Sequence, residues 1–361
     1  MTAREVLALA HEEGELRDLD LSGLDLGGLD LAETEFNAVI CHGTVFGNAC
    51  LDRTRFVNCD LAGASFRDAM LLETSFSGCT GVHPDFHGAD WDAADIEGCA
   101  WPGADFSNGV MFSCNLRECD LSGANLQGFT ADKTSFMNSS LQGADLRSAD
   151  MDRHTFIKIL LRDAVLQPCR LHRTVFQECD LSGQNLHGAS LSRVNFTGCS
   201  MPGVDLSEAE LGGSLFIGSN LTDAIIHKAR AENSNWQNAV LIRADLGKSV
   251  FTNAGFQGAD LTLARCQGAD FYGASFAVSR CLSTDMSACR CCYCDFSHAE
   301  LKGTDFTGAN CLAVRLHAVR ETDVRWSGAN RLLAKGTDEE LAKAENWTAP
   351  EAARARAMDE Y

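Results

Sequence analysis

Large apolar side chains recur at every fifth residue of this chain. The series begins Leu16, Leu21, Leu26, Leu31, Phe36, Cys41, Phe46, Leu51 and holds one phase to Leu316. Of its 61 members only Gly81 is not apolar. Two residues earlier lies a second slot, and 53 of its 61 members from Gly14 to Val314 are Ala, Cys, Ser, Thr, Val or Gly. Between the two slots, Asp or Asn fills 27 of the 64 positions from Glu15 to Asn330. The unit is therefore A-D/N-L-x-x, plain in Ala124-Asn125-Leu126, Ala144-Asp145-Leu146 and Ala259-Asp260-Leu261. Neither an α-helix (period 3.6) nor a flat strand (period 2) produces this spacing. A short straight side followed by a corner does, with the large residue filling the inside and the small one letting the wall pass close by.

A second period sets the number of units per coil. Residues 36, 56, 76, 136, 156, 176, 196, 216, 256, 276 and 296 are all Phe, and 236 is Trp. Residues 126, 146, 166, 186 and 206 are all Leu, and Cys59, Cys79, Cys99 and Cys119 follow the same interval. Like stacks on like at 20 residues, which predicts four units per coil. The 300 residues from 16 to 316 make about 15 coils, a rod roughly 70 Å long at about 4.8 Å per coil. One unit buries nothing alone; stacked coils bury a continuous core.

On these residues the chain resembles the pentapeptide-repeat family over about 300 of its 361 positions. The resemblance implies an all-β solenoid, the right-handed quadrilateral β-helix. Three segments are expected: a cap helix at 1–15, the β-helix at 16–331, and a helical cap or dimerisation segment at 332–361. Exposed ends of such a rod need covering. Thr2 is placed to cap a helix whose Val6, Leu7 and Ala10 lie over the first coil. At the other end, Thr337-Asp-Glu-Glu340 and Thr348-Ala-Pro-Glu351 read as capping boxes, with Leu341 and Trp347 as apolar anchors. The repeat weakens at Gly81–His87, where Gly81 takes a core slot and Pro84 a small one. It weakens again at Arg153–Arg173, where His154 and Ile159 take small slots. Both stretches are expected to bulge outward.

Charge changes the picture more than composition does. The net charge is −20. Residues 1–120 hold 6 basic and 22 acidic residues, net −16, while 121–240 and 241–361 are each net −2. A field concentrated at one end steers a basic partner there and repels nucleic acid. The candidate protein-docking surface is Asp60, Asp85, Asp90, Asp92, Asp95, Glu97 and Asp105, all outside the two inward slots. Its expected partner is a protein with a basic surface, with neither nucleic acid nor membrane bound directly.

Candidate chemistry subtracts rather than adds. The 17 cysteines would suggest disulfides in a short secreted chain, but this chain is long and opens on no signal-like segment, so a cytoplasmic protein with reduced thiols is expected. Fifteen of the 17 fall in inward slots, where Cys acts as a small hydrophobe. Within Cys289-Arg-Cys-Cys-Tyr-Cys294 only Cys292 is expected to point outward, which argues against zinc. His83, Asp85 and His87 lack a fourth ligand. Gly247-Lys248-Ser249 mimics the end of a P-loop, but Ile242 stands where a Gly is required. No catalytic residue, cofactor or metal is expected, and the chain is taken not to be an enzyme. A surface-groove enzyme is the remotest alternative. Two narrower functions follow from resemblance alone. The opening Glu5–Leu26, a short helix, a Gly and the first repeats, looks like pentapeptide proteins associated with type VI secretion gene clusters, implying effector loading or assembly. Other members of the family are acidic dimeric rods that mimic duplex DNA and protect gyrase. This chain shares their acidity and a possible C-terminal helical dimer, but its charge sits in one third.

Overall fold

The computed structural model describes residues 1–171 and 173–345. The chain winds a right-handed quadrilateral β-helix of about 15 coils. Every ladder is parallel, and its register is 20 residues: Leu16 pairs with Phe36, Phe36 with Phe56, Phe56 with Phe76. The four faces are named here for the core residue each contributes to the first coil: Leu16, Leu21, Leu26 and Leu31. The Leu16 face carries a nine-stranded sheet from Glu15–Arg17 to Val175–Gln177. The Leu31 face carries four strands, from Asp90–Asp92 to Asp150–Asp152. On the Leu21 face Glu300–Lys302 pairs with Arg320–Thr322, and elsewhere single bridges continue the ladders, the last joining Arg315 to Lys335, so the final coil extends past residue 331.

The corners explain the period. The residue two after each core position has positive φ, as at Asp18, Gly23, Gly28 and Glu33. In most units the amide three residues after the core position donates back to its carbonyl, as Leu24 does to Leu21 at 3.0 Å. This is a turn with left-handed backbone at its third residue, which Gly and Asn tolerate best. The Asx slot supports the same corner: Asp20 Oδ1 accepts from Ser22 N–H at 2.9 Å. Among the described residues, Pro168 alone departs from positive φ in this series. Its ring holds φ negative, and the Gln167–Pro168 peptide is cis.

Inside, the rings stack coil on coil. Phe36, Phe56 and Phe76 lie 4.6 and 4.7 Å apart, and on the opposite face Phe46, Phe66 and Phe86 lie 4.7 and 4.8 Å apart. The two columns meet edge to face, with Phe36 and Phe46 5.8 Å apart at 84°. The small slot has its own chemistry. Thr44 Oγ1 donates to the Leu21 carbonyl at 2.8 Å, and Cys59 and Cys79 Sγ donate to the Phe36 and Phe56 carbonyls at 3.3 and 3.4 Å. A hydroxyl or thiol here ties one coil to its predecessor, which is why Ser, Thr and Cys interchange.

At the N-terminus, helix α1 (Ala3–Glu13) is closed by a Thr2–Glu5 capping box and by Gly14 at φ 69°, and it buries Val6 and Ala10 over the first coil. Leu7 is half-buried against the core. At the C-terminus, helix α2 (Glu339–Glu345) starts one residue later than the sequence suggests. Its cap is Asp338, whose Oδ1 accepts from Glu340 and Leu341 N–H, both at 3.0 Å. The Thr337 hydroxyl instead accepts from Ala318 N–H across the coil. Leu341 is exposed rather than an anchor. Trp347 and the box at Thr348–Glu351 lie outside the described residues.

The first irregular stretch does not bulge. Gly81 lets the wall move inward: at φ 140°, an added Cβ would lie 2.5 Å from Ala62 N and 2.6 Å from Leu61 C. The ladder runs through it unbroken, from Asp60 to Thr80 to Ala100. Trp101, the next residue in that column, packs against Phe76 and Phe86 at 5.2 and 5.1 Å. His154 and Ile159 do not bulge either, since both are fully buried and Phe136, Phe156 and Phe176 stay in register. The break falls later. Among the described residues, no bridge joins Val165 to Asn185 or Arg170 to Ser190, although each has one on its other side.

Candidate docking surfaces

The seven acidic candidates do not share a face. Asp60 lies on the Leu21 face, Asp85 and Asp105 on the Leu26 face, Asp90 and Asp92 on the Leu31 face, and Asp95 and Glu97 on the Leu16 face. Six of them wrap three consecutive faces over neighbouring coils, and Asp60 stands apart. Their chemistry divides them further. Asp60, Asp85 and Asp105 each hold a corner, accepting from the backbone N–H of Ala62, His87 and Ser107 at 3.1, 3.0 and 2.8 Å. Asp60 also meets His42, and Asp85 meets Arg67. Asp95 and Glu97 share Arg117, at 3.0 and 3.4 Å. Asp90 and Asp92 flank the buried Trp91, are exposed, and hold no ion pair among the described residues.

Ion pairing explains why the thirds differ in field and not only in count. In the last third, Asp245, Asp260, Asp270, Asp295 and Asp305 each meet an Arg one coil later in the same slot: Arg265, Arg280, Arg290, Arg315 and Arg325, at 2.9 to 3.9 Å. Such exposed pairs stabilise little, but they cancel charge. In the first third the equivalent slots stack Asp20 on Ile40, Asp25 on Val45, and Asp85 on Asp105. Arg17, Arg53, Arg55, Arg67 and Arg117 are taken up by Glu15, Glu33, Glu35, Asp85 and the Asp95–Glu97 pair. Most carboxylates of that third are left to solvent.

The cysteine cluster is part of the core. Cys289 and Cys294 Sγ donate to the Cys266 and Phe271 carbonyls, both at 2.9 Å. Cys292, expected to face outward, is buried beneath the next coil, its Sγ 3.6 Å from the Asn310 carbonyl. In the same kind of inward slot elsewhere in the rod, burial pushes Cys114 and Cys119 up to about 11 and Cys281 up to about 12. At these three positions, burial favours the protonated thiol.

His83 and His87 are spent on Gly103 O and Ser107 Oγ, at 3.2 and 2.9 Å. Among the described residues, metal-ligating atoms converge at His298, His317 and Glu345, a group the sequence did not suggest because α2 returns over the last coils. His317 Nδ1 accepts from Asp338 N–H at 3.0 Å, so in the neutral ring Nε2 carries the proton and donates to Glu345 at 3.1 Å. That bond holds the Glu345 carboxyl below its usual range. The trio fastens α2 rather than offering a free ligand set.

The ladder break opens a cleft of about 580 Å³, lined by Arg162–Gln167 and Ser182–Asn185. Gln184 bridges it, its Nε2 donating to the Leu161 and Ala164 carbonyls at 2.6 and 3.0 Å. Sequence reasoning also missed Phe112. Nineteen of the 20 Phe are buried; Phe112 is 40% exposed. The signal was available, because Phe112 follows the core residue Met111 and so occupies an outward slot.

The sequence profile described as Pentapeptide repeats matches in eight copies, at 49–80, 59–90, 89–128, 114–153, 164–203, 199–235, 239–276 and 284–320, together 252 of 361 residues. Among solved structures, a trypsin-treated QnrB1, a plasmid-mediated fluoroquinolone resistance protein, is similar at 19% identity over 55% of this chain and 84% of that one, TM-score 0.29. HetL, involved in heterocyst differentiation regulation in the cyanobacterium Nostoc sp. strain PCC 7120, is similar at 17% identity over 94% and 98%, TM-score 0.19. The A-module of the Azotobacter vinelandii mannuronan C-5 epimerase AlgE6 is similar at 10% identity over 93% and 94%, TM-score 0.25. No curated protein matches by sequence.

Proposed function

Since the chain belongs to the pentapeptide-repeat family, we propose that it is a non-catalytic protein-binding rod whose acidic N-terminal third docks a partner with a basic surface. The carrying observation is the asymmetry of charge: net −16 in residues 1–120, with its carboxylates largely unpaired, against the Asp–Arg ladders of the last third. A rigid rod presents such groups at fixed spacing, so little entropy is lost on binding. A narrower form of the proposal makes it a cytoplasmic accessory of type VI secretion, acting in effector loading or assembly. It draws support from the opening arrangement of α1, Gly14 and the first repeats. Helix α2 is fastened through Glu345, but it buries none of its side chains and exposes Leu341, which supports pairing with a second copy.

The test compares the wild type with a variant carrying Asp85→Asn, Asp90→Asn, Asp92→Asn and Asp95→Asn, by crosslinking and pull-down from the native host. Asn keeps the corner hydrogen bonds, so the rod should survive. The expected result is loss of a basic partner whose capture also weakens as salt rises. Unchanged partners at unchanged salt sensitivity would remove the acidic third as the docking site. Recovery of a gyrase subunit alone, with supercoiling inhibited, would replace the scaffold by a DNA mimic.

A further inference from the structure

Four exposed large apolar side chains fall on the Leu31 face within three consecutive coils: Met70 and Leu72 in one, Val110 and Phe112 two coils on, exposed by 50, 37, 45 and 40%. Between them lie Asp90 and Asp92. The register is fixed: Met70 bridges to Asp90, and Asp90 and Asp92 pair with Val110 and Phe112. The surface therefore reads apolar pair, acidic pair, apolar pair along the rod axis. Exposed large apolar side chains grouped on one face, here in two rows about an acidic pair, mark a contact site. Both carboxylates lack an ion pair among the described residues, so an uncharged or acidic visitor would leave them desolvated and unpaired. Phe112 already carries one cation, Lys133 Nζ at 5.0 Å from its ring centroid.

The spacings select the shape of the visitor. Adjacent coils rise by about 4.8 Å, so the two apolar rows lie about 9.6 Å apart with the acidic row midway. On an α-helix, residues i and i+7 are about 10.5 Å apart, and i+3 and i+4, at about 4.5 and 6 Å, flank the line between them. The two rows of outward side chains on each coil are about 7 Å apart, which seats one helix astride them.

Resting on the docking role proposed above and sharpening it, we propose that this strip binds an amphipathic helix of a partner protein lying along the rod axis. The helix carries apolar residues at i and i+7, over Met70–Leu72 and Val110–Phe112, and Lys or Arg at i+3 and i+4, against Asp90 and Asp92. The pattern reads the same in both helix directions, so either polarity fits.

The probe is a dye-labelled Ala-rich helical peptide with Leu at i and i+7 and Lys at i+3 and i+4. Its control has the same composition with Lys moved to i+2 and i+5, facing away. Fluorescence anisotropy should show the first binding the full chain at least tenfold more tightly than the control. Phe112→Ser, and separately Asp90→Asn with Asp92→Asn, should each weaken it at least tenfold. All three residues point outward, so an unchanged circular dichroism melt confirms the fold. Equal binding of the two peptides, or wild-type affinity in Phe112→Ser, overturns the proposal. So does a dimer in sedimentation that Phe112→Ser dissolves, which would make a second copy the occupant. If the strip fails while the fourfold Asn variant still loses a basic host partner, acidic docking stands without it. If the peptide binds in register but that variant loses no partner, the strip stands and the wider docking role falls.

Discussion

Each five-residue unit assigns its positions different jobs, and single substitutions should separate them. Phe176 is fully buried between Phe156 and Phe196, at 4.9 and 5.2 Å, while its neighbour Gln177 is exposed. Phe176→Asp places an unpaired charge between stacked rings and should cost on the order of 5 kcal/mol or unfold the rod, whereas Gln177→Asp should stay within about 0.5 kcal/mol. Equal losses in chemical denaturation would mean that the inward and outward positions are wrongly assigned. His154 offers a second case. It sits in a small slot with both ring nitrogens unpartnered, 5.1 and 4.5 Å from the Phe136 and Phe156 rings. Burial pushes it down to about 3. The unfolded chain takes up this proton near pH 6.5 and the folded one does not. The contribution of neutral His154 is therefore fully present above about pH 6.5 and is lost as pH falls towards 3, at up to about 1.4 kcal/mol per pH unit. His154→Leu should flatten the fall in melting temperature between pH 6 and pH 4 and leave stability at pH 8 nearly unchanged. Parallel profiles for the two proteins would show that His154 escapes to solvent before it is protonated.

At the scale of the coil, the same side chain can signal either a corner or a collapse. Gly98 sits at a corner with φ 61° and nothing within 4 Å of an added Cβ, whereas Gly81 lies in a core slot with backbone 2.5 Å away. Gly98→Ala should cost about 1 kcal/mol through its left-handed backbone. Gly81→Ala must push one coil off another and should cost roughly 3 kcal/mol. Similar melting temperatures for the two variants would remove the inward step at Gly81. Period and phase made the coils, core columns and α1 legible, because each repeat states the same local rule and Thr2–Glu5 states a cap. What stayed hidden depended on neighbours 20 or more residues away. Gly81 and Pro84 looked like a bulge because the Trp101 that fills the space belongs to another coil. Cys292 looked outward because its cover, at Asn310, comes from the next coil. The acidic candidates looked like one surface because sequence gives charge per third and not per face. Phe112 was legible from phase alone, yet its significance needed Met70, Leu72 and Val110 to be seen on the same side.

Taken whole, the molecule is a one-dimensional stack in which each coil is held by its two neighbours, so stability is approximately a sum of coils and interfaces. The interfaces here are unequal. Most are tied on four faces by bridges, by stacked side chains and by small-slot hydroxyls or thiols. The interface between residues 162–170 and 182–190 lacks bridges at Val165–Asn185 and Arg170–Ser190 among the described residues. It relies instead on the Gln184 side chain and on Gln167, whose Nε2 donates to the His187 carbonyl at 2.9 Å. Pro168 accounts for the location. It occupies a corner position that needs positive φ and cannot adopt it, and the amide of Ser148 is redirected to the Pro168 carbonyl, where register would have placed it on residue 167. A solenoid opens first at its weakest interface, because separating two halves there exposes core without losing a full set of ladder bonds. Native-state hydrogen exchange should therefore show amides in 163–170 and 184–190 exchanging well ahead of those in 143–150 and 204–210, which lie on the same faces in flanking coils. Gln184→Ala should widen that difference and separate denaturant unfolding into two steps, one for each side of the break. Uniform protection along the rod, with a single transition in both proteins, would show that the coils on either side of Pro168 are coupled as tightly as the rest.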